Sequence, residues 1–301
     1  MKRKLIQIAN STSVVSLPKD WIEEYKLKKG DELELHKLKN NILIKTNNIK
    51  HDEIHLDISN LHYDLVWRYL ITAYRKGTET IVIKYSPDFI ETLQVYIKDL
   101  VGMAVINQKD NTITLKDFFY NYSENDLDNM VHRVFNLVKE ISKDILTAVK
   151  EKDSDSLKDM RHRDFNIGKF TNLCIRILNK NVYQNYNKSL SLYRFIPMIE
   201  EIGDEYRRIA ETYLKDSSDI NRNIINIFSD VNGLFDDYYE LYYNYDKNKL
   251  IEFHKKGNEI INNMKDNYHN KKNSEIQMLS SLNTIVNMIK NICEESLIVN
   301  I

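Results

Sequence analysis

Leu192, Phe195, Ile199, Ile202, Tyr206, Ile209 and Tyr213 recur in an unbroken alternation of three- and four-residue steps. Only a helix gathers such a spacing onto one continuous face, because about 3.6 residues complete a turn. The rest of the chain from Ser123 onward keeps these steps and contains no convincing strand pattern. Seven glycines and three prolines in 301 residues leave long helices uninterrupted. Polar breaks near Asp153, from Asn181 to Lys188, from Ser217 to Asp219, from Asp246 to Asn248 and from Asn270 to Asn273 divide this region into six helices of bundle-spanning length. Residues 120–301 are therefore expected to form a six-helix bundle.

The six helices read as two copies of three, residues 120–216 and 217–301. Setting Arg208-Ile209-Ala210-Glu211 against Asn291-Ile292-Cys293-Glu294, a shift of 83 residues, places Ile199 opposite Leu282 and Ile202 opposite Ile285. Any two amphipathic helices align tolerably, so this alignment alone does not establish a duplication.

Residues 51–119 follow a different pattern. Strand-like Ile54–Ile58, a helix from Leu61 to Lys76 stopped by Gly77, a strand Thr80–Tyr85, a helix after Pro87 running to about Gly102, and strands Ala104–Asn107 and Thr112–Leu115 predict a small α/β domain.

Residues 1–48 are different again. Short apolar clusters at Ile6–Ile8, Val14–Leu17, Leu33–Leu35 and Ile42–Ile44 read as strands, and one short helix begins at Pro18-Lys19-Asp20. Gly30, in Lys29-Gly30-Asp31, supplies the positive φ needed to leave that helix. A module this small is at the margin of building its own core, and a second copy is its simplest cover.

Charge is distributed unevenly over the three parts. Residues 1–50 carry 11 Lys and Arg against 6 Asp and Glu, a net of +5, while the remainder carries 32 against 38, a net of −6. A basic head precedes an acidic body, so the overall −1 does not exclude nucleic acid. Clustered lysines on a dimer would attract phosphates in a salt-sensitive way. Lys2, Arg3, Lys4 and Lys19 are the first candidates, then Lys28 and Lys29; the same lysines would also serve simply to solvate a small domain. The Asn10–Ser13 loop offers further hydrogen bonds to phosphate or base, or ordinary turn chemistry.

No run of 18 uncharged apolar residues exists and Met1–Leu5 lacks a signal-peptide core, so a cytoplasmic protein is expected. Cys174 and Cys293 lie far apart among helical apolar residues, which predicts buried reduced thiols. His51 and His55 fall on a strand-like segment, while His132 and His162 fall on helix surfaces. No Ser-His-Asp or glycine-rich phosphate loop motif is evident, and no enzyme is expected. The tyrosines, Tyr238, Tyr239, Tyr242 and Tyr243 among them, fall mostly at bundle spacing and read as packing.

Two resemblances sharpen this reading. Ser11–Leu35, STSVVSLPKDWIEEYKLKKGDELEL, with Leu43-Ile44 behind it, resembles the AbrB-type (SpoVT/AbrB) swapped-hairpin DNA-binding domain: a strand ending in Leu-Pro-Lys, a short helix, Lys-Gly-Asp and another strand. The resemblance implies a dimeric β-barrel of interlaced hairpins with a basic DNA-contacting face. Some swapped-hairpin domains bind protein instead.

Tyr193–Leu214, YRFIPMIEEIGDEYRRIAETYL, is similar to the third helix of the PhoU family, with Glu200 to Glu205 and Arg208 to Glu211 on the family pattern and Glu201 and Glu205 replacing its usual Arg and His. That resemblance covers about residues 120–298, and the order of the three parts is that of archaeal phosphate-uptake regulators. It implies metal clusters on Glu/Asp-x-x-x-Asp motifs, and hence a divalent or ferric ion held in repeat one by Asp164, Glu200 and Asp204. Gly168 stands where a further carboxylate is usual. In repeat two the positions are Asn258, Asn262, Asn283 and Asn287, uncharged amides unsuited to a multivalent cluster, so no metal is expected there.

The expectation is a dimeric DNA-binding regulator of phosphate uptake. The alternative is an adaptor that docks a phosphate transporter or a sensor kinase through the acidic bundle. A metal-dependent hydrolase would need a complete carboxylate cluster, and none is found.

Overall fold

The computed structural model describes residues 1–8, 12–38, 40–46, 52–118, 122–180, 186–216 and 219–300, with the side chains of residues 38, 124, 161–164, 186–187 and 298–300 outside the description. It divides into two compact units, Met1–Glu53 and Ile54–Ile301.

In the first unit, β1 (Ile6–Ile8) pairs antiparallel with β2 (Thr12–Val14), and β3 (Glu34–Leu38) pairs antiparallel with β4 (Asn41–Lys45), setting Leu35 opposite Ile44 and Lys37 opposite Ile42. Between the hairpins lies α1 (Lys19–Glu24), whose first turn begins at the fixed φ of Pro18. The chain leaves it through Lys26 at φ 51°, and Gly30, at φ 99°, takes the left-handed conformation expected of it in the turn that leads to β3. Within one chain the hairpins remain two separate two-stranded sheets, and no closed barrel forms among the described residues. None of these residues is buried, and Leu5, Ile6, Ile8, Leu35 and Ile42 are all more than half exposed.

The second unit contains the described residues from Ile54 onward, both the α/β region and the bundle region. Its sheet runs in the order β5 (Glu53–Asp57), β6 (Thr80–Lys84), β8 (Thr112–Asp117), β7 (Met103–Lys109). Ile81 pairs with Leu115 and Ile83 with Ile113, and all four are buried. Helices α2 (Tyr63–Arg75) and α3 (Ile90–Ile97) supply the other half of that core through Val66, Leu70, Tyr74 and Leu93.

The bundle begins at α4 (Glu124–Glu151), where Ser123 and Asp126 form a reciprocal capping box. It continues through α5 (Ser154–Lys158), α6 (Met160–Lys180), α7 (Tyr186–Lys215), α8 (Arg222–Tyr243), α9 (Lys247–Asp266) and α10 (Asn273–Asn300). Among the described residues six long helices are thus accompanied by a seventh, five-residue one, because Asp153 caps a new turn at Asp155 and Ser156 as soon as Lys152 has left α4 in a left-handed conformation. The apolar stripe from Leu192 to Tyr213 is buried throughout. A buried polar chain crosses the core: Tyr206 Oη donates to Asn232 Oδ1 at 3.0 Å, and Asn232 Nδ2 donates to the Ser142 carbonyl at 3.1 Å. Tyr238, Tyr239, Tyr242 and Tyr243 pack around Phe135 and are packing residues, as their spacing predicts.

The α/β layer is pinned to the bundle by a buried charge cluster that sequence reasoning does not single out. The alternation along β8 that buries Ile113 and Leu115 also buries Asp117. Asp117 Oδ2 accepts from Arg176 Nη2 at 2.6 Å and from Lys180 Nζ at 2.7 Å, both on α6. Arg176, fully buried, also donates to the carbonyls of Tyr74 and Thr78 at 2.6 and 2.9 Å, and its guanidinium lies over the Tyr74 ring. Gly77, at φ 92°, permits the approach: a Cβ there would sit 2.8 Å from Lys180 Cγ.

Replacing Asp117 by Asn leaves two cations without their counter-charge, so Asp117→Asn is expected to lower stability by about 3–5 kcal/mol, read from the urea midpoint. Cys174 and Cys293 are both free and buried; burial pushes the Cys293 thiol up to about 11 and the Cys174 thiol further still. Both are expected to resist a thiol reagent at about pH 8 in the native protein and to react once denatured.

Candidate functional site

The basic candidates occupy three places on the first unit. Lys2, Arg3 and Lys4 are exposed on the extended chain entering β1, Lys19 opens α1, and Lys28 and Lys29 lie in the turn before β3. Lys19 Nζ is 3.4 Å from Glu23 Oε1, an exposed i,i+4 pair too weak to withdraw the lysine from a phosphate. The Lys28 amide donates to Asp31 Oδ2 at 2.8 Å, which fixes the turn that presents both lysines. Asn10 and Ser11 of the adjoining loop lie outside the described residues.

In the second unit, a cleft of about 770 Å³ opens between α2 and α3 of the α/β layer and α6 and α7 of the bundle. Glu200 and Asp204 both line it. On α7 this pair lies off the apolar stripe, on a face that the α/β layer covers, leaving both residues half-buried.

Each carboxylate has an arginine beside it. Glu200 Oε2 lies 3.7 Å from Arg75 Nη2, and Asp204 Oδ1 accepts from Arg207 Nη2 at 3.0 Å. Arg75 Nε also donates to Asn172 Oδ1 at 2.6 Å, so α2 is held to α6 and α7 by one side chain. Gly168 makes room for the Glu200 carboxylate: a Cβ at 168 would lie 3.0 Å from Glu200 Oε1. The position where the PhoU pattern has a further acid therefore serves here as a seat for Glu200.

The Asp164 and His162 side chains and all of His51 lie outside the described residues. Among the described residues no group of three or more His, Cys, Asp and Glu side chains could hold a metal. Glu200 and Asp204 each have a guanidinium beside them, which offsets their charge.

The remaining walls of the cleft carry chemistry not singled out from the sequence. Trp67 and Tyr96 stand 5.0 Å apart between ring centroids. Lys169 Nζ donates to the Lys98 carbonyl at 3.2 Å. Burial raises the Asp99 carboxyl above the usual carboxylate range, against the pull of Lys169 and Lys98. Their signal in the sequence is weak, because Trp67 and Phe165 look like helix packing residues and become site residues only when α2 and α6 face each other.

The family model described as "Antidote-toxin recognition MazE, bacterial antitoxin" matches residues 6–50. The crystal structure of the phosphate transport system regulatory protein PhoU from Streptococcus pneumoniae is similar at a TM-score of 0.51 and 16% identity, over 57% of this chain and 92% of that one. No curated protein matches the chain. The chain joins a MazE/AbrB-like head to a PhoU-like fold. At this identity the likeness to PhoU is one of fold. No described helix is long and apolar enough to cross a membrane.

Arg75→Ala removes the link from α2 to the buried Asn172 and the half-buried Glu200, at a side chain that is itself partly open to solvent. It is expected to cost about 1–2 kcal/mol in thermal or urea unfolding without changing the helix content read by circular dichroism.

Proposed function

We propose that the protein is a DNA-binding regulator of phosphate uptake that acts as a dimer, its two heads interlacing into one swapped-hairpin barrel. The observation that carries this reading is the state of the head: no described residue there is buried, while Leu35 and Ile42 on its second hairpin are each 67% exposed. Two-stranded hairpins with bare apolar faces are at best marginally stable alone. A second copy would cover the faces and set two sets of Lys2, Arg3, Lys4 and Lys19, with Lys28 and Lys29, over one surface facing duplex phosphates.

In this reading the domains are residues 1–48, 51–119 and 120–301, the last built from two three-helix repeats, and the PhoU-like part reports phosphate status to the head. A second reading, in which the head is a dimer clamp and the body docks a phosphate transporter or a phosphate-sensing kinase, is favoured by the net −6 of the residues beyond the head.

Two measurements test the proposal. Light scattering is expected to give twice the 35.8 kDa of one chain, and Leu35→Glu with Ile42→Glu to shift it toward a monomer whose body stays folded. Selection from a random duplex pool at near-physiological salt is expected to enrich a bound sequence whose affinity falls steeply with added salt. Replacing Lys2, Arg3 and Lys4 together by Ala should weaken that binding roughly tenfold or more and flatten its salt dependence. A dimer that enriches no DNA yet co-purifies with transport components would sink the first reading in favour of the second.

A further inference from the structure

The cleft between the α/β layer and the bundle has a volume of about 770 Å³, within the range of small-molecule sites. Both of its walls carry aromatic rings. Trp67 on α2 and Tyr96 on α3 stand on one side, and Phe165 on α6, still 49% exposed, stands on the other. Aromatic rings on both walls of one cleft give a planar group apolar surface to bury.

The polar groups in the cleft divide into satisfied and unsatisfied. Asp64 pairs with His62 at 3.3 Å, Glu200 with Arg75 and Asp204 with Arg207. Asp99 is different: it is 8% exposed, and its Oδ2 has no hydrogen-bond partner among the described residues. A buried acceptor left without a donor is costly and calls for one. Among the cations, Arg75 is held by Asn172 and Glu200. Lys169 makes one bond, to the Lys98 carbonyl, and the exposed Arg68 guanidinium has no partner among the described residues. The cleft therefore offers aromatic walls, a buried carboxylate that needs an N–H donor, and two cations with donors to spare.

We propose that this cleft binds a purine nucleotide, with the base against Trp67 and Phe165, its N–H edge donating to Asp99, and its phosphates on Arg68 and Lys169. Guanine fits best, because its Watson–Crick edge presents two adjacent N–H donors to a carboxylate where adenine presents one amine. Arg68 and Lys169 suit phosphate, the guanidinium by its planar fork and the ammonium as a point charge. A nucleotide here would touch α2 and α6 together and so bear on how the α/β layer is held to the bundle. The site is independent of DNA binding by the head, and its test reads a different signal.

Trp21 and Trp67 are the two tryptophans, so Trp21→Phe leaves Trp67 as the sole indole reporter in the full-length chain. Titration with GTP is expected to quench Trp67 fluorescence saturably, with ATP weaker and inorganic phosphate silent. Arg68→Ala should weaken GTP roughly tenfold or more, and Asp99→Asn should erase the preference for GTP over ATP. Calorimetry on the chain with both tryptophans intact gives the same reading should Trp21→Phe disturb the head. No saturation with either nucleotide by about 1 mM in both measurements overturns the proposal. So does equal competition by inorganic phosphate, or unchanged GTP affinity in Arg68→Ala.

Discussion

A carboxylate buried by strand alternation governs how the second unit is built. Asp117 occupies the inward position of β8 that follows Ile113 and Leu115, so burying the strand buries its charge. A lone buried carboxylate is not tolerated, and α6 meets it with Arg176 and Lys180. The same guanidinium takes up the Tyr74 and Thr78 carbonyls, so one side chain ties together the end of α2, the turn after it and the last strand of the sheet. The facing of α2 and α3 against α6 and α7, and with it the cleft, follows from this attachment. Burying these charges costs their desolvation, so the cluster is weak evidence of added stability even though losing one partner is costly.

The head obeys the opposite condition. Its strands are too few to enclose anything, and its apolar side chains stay in contact with water within a single chain. Where the second unit solves its packing internally, with a continuous apolar core from α4 to α10, the head leaves its own unsolved.

Periodicity made much of this legible. The three- and four-residue spacing of α7, the breaks that end the long helices, and the order of strands and helices in residues 51–119 all follow from local rules, because period and turn chemistry are read within a few residues. What lay beyond such rules were pairings across long stretches of chain. Arg176 looks like an isolated charge in the apolar run Leu173–Leu178, and nothing near it in sequence names Asp117 as its partner. Glu200 looks like one end of a metal motif, and its neighbours Arg75 and Gly168 come from two other helices. An arginine within a buried helical run is still a readable signal: it requires a carboxylate somewhere in the fold.

The span of the Asp117 cluster has a consequence for the order in which the chain matures. Arg176 and Lys180 lie 59 and 63 residues after Asp117. At a synthesis rate of about 5–20 residues per second, the carboxylate exists for roughly 3–12 s before its first counter-charge has been made. Until then Asp117 lacks both of the cations that hold it to the bundle. Although residues 51–119 precede the bundle in the chain, the attachment of the sheet to α6 is completed only once α6 has been made.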